Sequence, residues 1–158
     1  MIYGITGHQE REGIDWDWVR ASIGHELQRG AAPFRGLSSL ARGADQVFAE
    51  EVLRLGGDLT AIIPIDRYET YFEGDTLAAY RRLLSAAKVE RMPSAKDDEA
   101  AFLAAGIRVA DECEVLLAVW DGEGAHGSGG TADIVIHARE IGRSVVHLQP
   151  IRRVISRY

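Results

Sequence analysis

Glu114 to Trp120 reads EVLLAVW and runs directly into Asp121 to Gly130, DGEGAHGSGG, before Thr131 opens TADIVIHARE. A continuous apolar run of that length is a strand covered on both faces. The glycine-dense stretch after it is a loop, and the residues from Thr131 to Ile141 carry apolar positions at helical spacing. Together they make one strand-loop-helix unit, and the same unit recurs along the rest of the chain. Met1 to Thr6 (MIYGIT) is a first strand ending at Gly7. Asp15 caps a helix whose Trp16, Val19, Ile23 and Leu27 share a face, with Gly30 at its exit. Phe34 to Leu40 is a shorter strand, followed by a helix from Gly43 to Leu55 that Gly56-Gly57 ends. Leu59 to Ile65 is the next strand, and Asp75 to Ala87 the next helix. Lys88 to Met92 is a small strand, Asp97 to Asp111 a helix, and Ser144 to Leu148 a final strand. This alternation predicts a single three-layer α/β domain with a mostly parallel sheet. The domain is expected over residues 1–148, with 149–158 as a C-terminal tail whose IRRVISRY either stays solvated or packs at a subunit contact.

Composition agrees with one globular core: 158 residues, 46% hydrophobic and 27% charged. Eighteen Lys and Arg against 24 Asp and Glu leave a net charge of −6. That balance argues against nucleic acid as a partner, because phosphate-backbone binding draws on a basic face. It leaves room for a local anion site. Cys113 is the sole cysteine, so neither an internal disulfide nor a cysteine zinc site is expected, and no metal is. MIYGITGHQE lacks the pattern of a secretory leader and no window approaches a membrane span, which predicts a cytoplasmic protein that does not enter the membrane.

In an open parallel sheet, ligands bind beyond the carboxyl ends of the strands, near the point where strand order reverses. Three loops stand out at that edge. In Gly4-Ile5-Thr6-Gly7-His8, the glycine lets backbone approach a ligand while Thr6 and His8 present donors; a tight strand-to-helix turn is the other reading. Gly36 to Asp45 (GLSSLARGAD) places Ser38, Ser39, Arg42 and Gly43 just before a helix N-terminus, where free amides favour an anion and Arg42 adds a forked contact. Alternatively Ser39 or Asp45 caps the helix and Arg42 pairs with a surface carboxylate. The third loop, Asp121 to Thr131, holds five glycines in eleven residues, a concentration that folding alone does not reward. It matches neither GxGxxG nor GxxxxGK[ST], which speaks against a dinucleotide cofactor and a P-loop; no cofactor is predicted. His126 inside it either donates to phosphate or is exposed. Trp120 either closes the core or stacks on a base, and Tyr68, Tyr71 and Phe72 either wall a base pocket or form a dimer contact.

GITGHQ at the start, GLSSLARGADQVFAEEVLRLG in the middle and AVWDGEGAHGSGGTADIVIHARE near the end resemble the SLOG superfamily of Rossmann-like domains. That group includes DNA-processing A proteins, LONELY GUY phosphoribohydrolases and nucleotide-sensing modules. The resemblance spans Met1 to about Leu148. It implies a Rossmann-like fold with a pocket for a nucleotide or nucleotide-derived molecule, contacted by Thr6, Gly7, His8, Ser38, Ser39, Arg42, Gly43, Gly129, Gly130 and Thr131, with Asp121 near a sugar. In the phosphoribohydrolases the signature PGGxGTxxE ends in a glutamate that assists cleavage of the N-glycosidic bond. Here Ile134 holds that position, Ser128 replaces the proline, and Asp133 lies one residue early, about 100° around a helix. The expectation is therefore binding or sensing without turnover, with no catalytic residue assigned. N-glycosidic cleavage using Asp133, Asp121 or Glu123 is the alternative. Related folds form symmetric dimers, so a homodimer is expected.

Overall fold

The computed structural model describes residues 1–123 and 130–158. Its elements run β1 (Ile2–Gly7), α1 (Trp16–Arg29), β2 (Arg35–Ser38), α2 (Ala44–Arg54), β3 (Asp58–Ile63), a 3-10 turn at Tyr68–Tyr71, α3 (Gly74–Ser85), β4 (Lys88–Arg91), α4 (Asp98–Glu112), β5 (Val115–Val119), α5 (Thr131–Glu140), β6 (Ser144–Gln149) and β7 (Val154–Arg157). The sheet order is β4-β3-β2-β1-β5-β6-β7, parallel throughout except for the β6–β7 pair. The α/β architecture expected from the alternation is present, and with it the strand-order reversal. From β1 the chain moves outward through β2, β3 and β4, then returns to place β5 on the other side of β1. The crevice between the β1 and β5 loops is the switch point of the fold.

Period-two alternation explains why β5 reads as unbroken apolar sequence. Leu117 and Val119 pack into the cluster formed with Val19, Ile23, Leu27 and Phe48, while Leu116 and Ala118 pack into a second cluster with Val109, Ile134 and Val145. Helices α1 and α2 therefore cover one face and α4 and α5 the other. The predicted cap at Asp15 forms, its Oδ1 accepting from the Trp18 amide at 3.0 Å, and Asp97 does the same for Ala100 at 2.7 Å.

Two expectations are corrected. Strand β2 stops at Ser38 rather than reaching Leu40, because Leu40 takes a left-handed backbone (φ 58) that ends the ladder. The tail after Leu148 is not a free end. β6 continues to Gln149, and Val154–Arg157 returns as an antiparallel edge strand, with Leu148 opposite Ile155. Arg157 anchors it through a two-pronged pair with Glu26 of α1, at 2.9 and 2.6 Å.

Candidate functional site

The loops at the switch point are joined by main-chain bonds before any side chain is considered. The His8 amide donates to the Val119 carbonyl at 3.0 Å, tying the β1 loop to β5, and the Ala44 amide donates to the His8 carbonyl at 3.2 Å, tying it to the start of α2. Gly7 allows this closeness, since a Cβ there would stand 2.7 Å from the Ala44 Cβ and 2.8 Å from the Val119 carbonyl oxygen. Gly43 (φ +87) turns the chain into α2 with its α-carbon against the Gln9 backbone, where a Cβ would lie 2.1 Å from the carbonyl oxygen.

A cavity of about 620 Å³ opens over these joined loops. Of the residues read from the sequence, Thr6, Gly7, His8, Ser39, Arg42, Asp121, Gly130 and Thr131 line it. Ser38 and Gly43 do not. The Ser38 hydroxyl is buried, donating to the Asp45 carbonyl at 3.2 Å and accepting from the Leu40 amide at 3.0 Å, so it builds the loop. Gly43 serves loop packing, as its Cβ geometry requires. Gly129 and His126 lie outside the described residues.

The anion-facing side of the cavity has two kinds of donor. Helix α5 begins at Thr131 behind Gly130, which gives it no side-chain cap, and among the described residues no side chain accepts from its first amides. Arg42 donates through Nε to Gln9 Oε1 at 2.9 Å and pairs with no carboxylate among the described residues. Asp121 is more constrained. Its Oδ1 accepts from the Glu123 amide at 2.9 Å and stands 3.3 Å from His8 Nε2, and Arg11 pairs with its Oδ2. Burial alone would raise its pKa, but the Glu123 amide, His8 and Arg11 outweigh that and hold it below the ordinary carboxylate value. The same His8 nitrogen lies 3.2 Å from the Asp121 amide. A neutral ring accepts from that amide, whereas a protonated one donates to the carboxylate.

Sequence reasoning took Asp45 only as a candidate cap. In fact α2 has no side-chain cap; Asp45 turns back onto the β2 loop, its Oδ2 accepting from the Ser39 amide at 3.2 Å. It lines the cavity, and burial pushes its carboxyl up to about 7 against the opposing pull of the Ala41 and Ser39 amides. The readable signal was an acid one residue inside a helix start, preceded by a hydroxyl-rich loop. The aromatic residues after β3 wall the cavity, Tyr68, Tyr71 and Phe72 being joined there by Phe102 of α4. Trp120 is half-buried on the cavity edge, with its indole donating to the Glu123 carbonyl at 2.9 Å. Ile134, at the position of the phosphoribohydrolase glutamate, also lines the cavity and is buried. Asp133 is not among the lining residues. Among the described residues no group of three His, Cys, Asp or Glu is placed to hold a metal ion, and no helix is long and apolar enough to cross a membrane.

No family model matches the chain, and no curated protein matches it in sequence. Solved structures do. DNA processing protein A (DprA) from Streptococcus pneumoniae aligns over 92% of this chain and 49% of its own, with TM-score 0.64 and 20% identity. DprA from Helicobacter pylori, solved for its single-stranded DNA binding mode, aligns over 93% of this chain and 64% of its own, with TM-score 0.64 and 15% identity. The Moco carrier protein from Chlamydomonas reinhardtii aligns over 94% and 75%, with TM-score 0.56 and 18% identity. The chain thus spans about half the length of the first of these and under two thirds of the second. What is shared at such identities is the fold, a mostly parallel α/β sheet of the Rossmann-like kind.

One expectation is overturned by these neighbours. The net charge of −6 argued against nucleic acid as a partner, yet a protein of this fold binds single-stranded DNA. A chain-wide balance does not report the charge at one edge of a sheet, where Arg11 and Arg42 are found here.

Proposed function

We propose that this protein binds a nucleotide or nucleotide-derived ligand in the switch-point cavity and acts by binding or sensing it without turnover. The observation that carries the reading is the composition of that cavity. A helix start with no side-chain cap and an arginine paired with no carboxylate, both among the described residues, share it with a wall of aromatic rings, which suits a molecule that is anionic at one end and flat and apolar at the other. Strand order supports the separation of the two ends. The aromatic cluster follows β3 and the α5 start follows β5, three strand spacings away, or roughly 14 Å. Binding without turnover is supported by Ile134, which puts an apolar side chain where a phosphoribohydrolase carries its glutamate.

The test is a thermal-shift screen against nucleoside mono- and diphosphates, cyclic nucleotides, ADP-ribose and a short single-stranded oligonucleotide. A ligand at 100 times its Kd adds about 2.7 kcal/mol, several degrees for a domain of this size. A panel with no shift overturns the proposal, and a shift with the oligonucleotide alone moves the ligand class to single strands. Chromatography of the mixtures for released base tests turnover, and base release lost in Asp133→Asn would replace sensing with N-glycosidic cleavage. A homodimer in the cytoplasm completes the proposal; a monomeric mass by light scattering would remove the dimer.

A further inference from the structure

Tyr68 lines the cavity and is 5% exposed, with its ring fixed edge-on to Phe72 at 5.0 Å and to Tyr80 at 5.5 Å. Among the described residues no hydrogen bond reaches its hydroxyl. The hydroxyl keeps some accessible surface rather than being sealed in the core, so it is open to an occupant of the cavity that Tyr68 lines. Asp45 lines the same cavity, and its charge is felt at Tyr68, whose phenol is raised well above its ordinary value by burial first and by Asp45 next. Tyr71, Phe72 and Phe102 supply flat apolar surface beside the pair, the Tyr71 and Phe102 rings meeting at 5.0 Å.

We propose that Tyr68 and Asp45 read the hydrogen-bonding edge of the ligand's heterocycle and select a base that carries an exocyclic amine. The inference rests on the nucleotide reading above and adds the residues that set base identity. The Tyr68 hydroxyl donates to a ring nitrogen, and the Asp45 carboxyl accepts from the adjoining amine. Either protonation state of Asp45 keeps an oxygen able to accept. The apolar rings stack on the base and tolerate any base, so discrimination falls to the polar pair.

The experiment is isothermal titration of the full chain with AMP, IMP and ribose 5-phosphate, repeated in Tyr68→Phe and in Asp45→Asn. AMP and IMP differ in this edge, an amine in one and a carbonyl in the other, and ribose 5-phosphate has no base. The expected result is AMP at least 10-fold tighter than IMP in the wild type. Tyr68→Phe should then lose about 10-fold for AMP and leave ribose 5-phosphate, measured directly or by competition, within twofold. Asp45→Asn should shrink the AMP-to-IMP ratio. Since Asp45 also anchors the β2 loop, the Tyr68→Phe result decides if that variant misfolds. Equal affinity for AMP and IMP overturns the inference while leaving nucleotide binding standing, as does a Tyr68→Phe loss shared equally by ribose 5-phosphate. Failure of all three probes overturns the nucleotide reading and the inference together.

Discussion

Replacing Asp45 with asparagine tests the electrostatics of the site in the absence of ligand. The carboxyl is buried, and its pKa moves from 3.8 to about 7 in the folded protein. Below pH 4 the folded and unfolded chains both hold the proton, and the group has no effect on the slope. Between pH 4 and 7 the folded chain keeps a proton that the unfolded chain has released. Stability therefore falls with rising pH by about 1.4 kcal/mol per unit from this group alone. Above pH 7 the slope vanishes, leaving a cumulative cost of about 4 kcal/mol relative to the acid side. Asparagine does not titrate. Carboxylates such as Asp121 are present in both proteins and cancel in the difference. Urea unfolding of wild type and Asp45→Asn at pH 5, 6, 7 and 8 should thus give a stability difference that shifts in favour of asparagine across the first three points, then levels. A difference that is flat, or that moves toward wild type as pH rises, would refute the reasoning. It would mean that the Ser39 and Ala41 amides hold the carboxylate more firmly than burial penalises it.

Three further outcomes follow from single contacts. Arg42→Ala should weaken a nucleoside monophosphate by about 10-fold or more by titration calorimetry, the loss of one charge-assisted contact, yet leave the unliganded melting temperature within about a degree. Its one hydrogen-bond partner among the described residues is Gln9, so a large unliganded loss would mark it as structural. Gly43→Ala should cost on the order of 3 kcal/mol in urea unfolding, because it combines a backbone closed to L residues with an overlap on the Gln9 carbonyl; a loss under 1 kcal/mol would show that the turn relaxes. Cys113 is fully buried and its thiol is pushed up to about 11, so it should react with a disulfide reagent only at the rate of unfolding, and fast labelling of the native protein would contradict that.

The layer architecture was legible because each helix face and each buried strand carries its own period, and the EVLLAVW run announced a strand covered on both sides. The convergence of the three loops followed from strand order, a property of the fold class rather than of any one motif. Other features escaped because sequence spacing does not report which atoms a side chain meets. Ser38 looks like a ligand donor until its hydroxyl is seen closing the loop onto Asp45 and Leu40. Gly43 looks like a phosphate contact until Gln9 is found against it. The tail's three arginines stay exposed as their charge suggests, but its strand pairing was not legible, since Glu26, which holds Arg157, lies 131 residues away. Tyr68 and Asp45 line one cavity from segments that follow different strands, and no local pattern joins them.

The account stands on a single cavity receiving the ligand between the β1, β2 and β5 loops. Amide chemical-shift mapping during titration with AMP tests that directly. The predicted result is a contiguous set of perturbed amides at Gly7 to Arg11, Ser39 to Arg42, Glu123 and Thr131, with Tyr68 and Phe72 moving alongside. Perturbations confined to one of these loops, or gathered at the β4 or β7 edge, would contradict it.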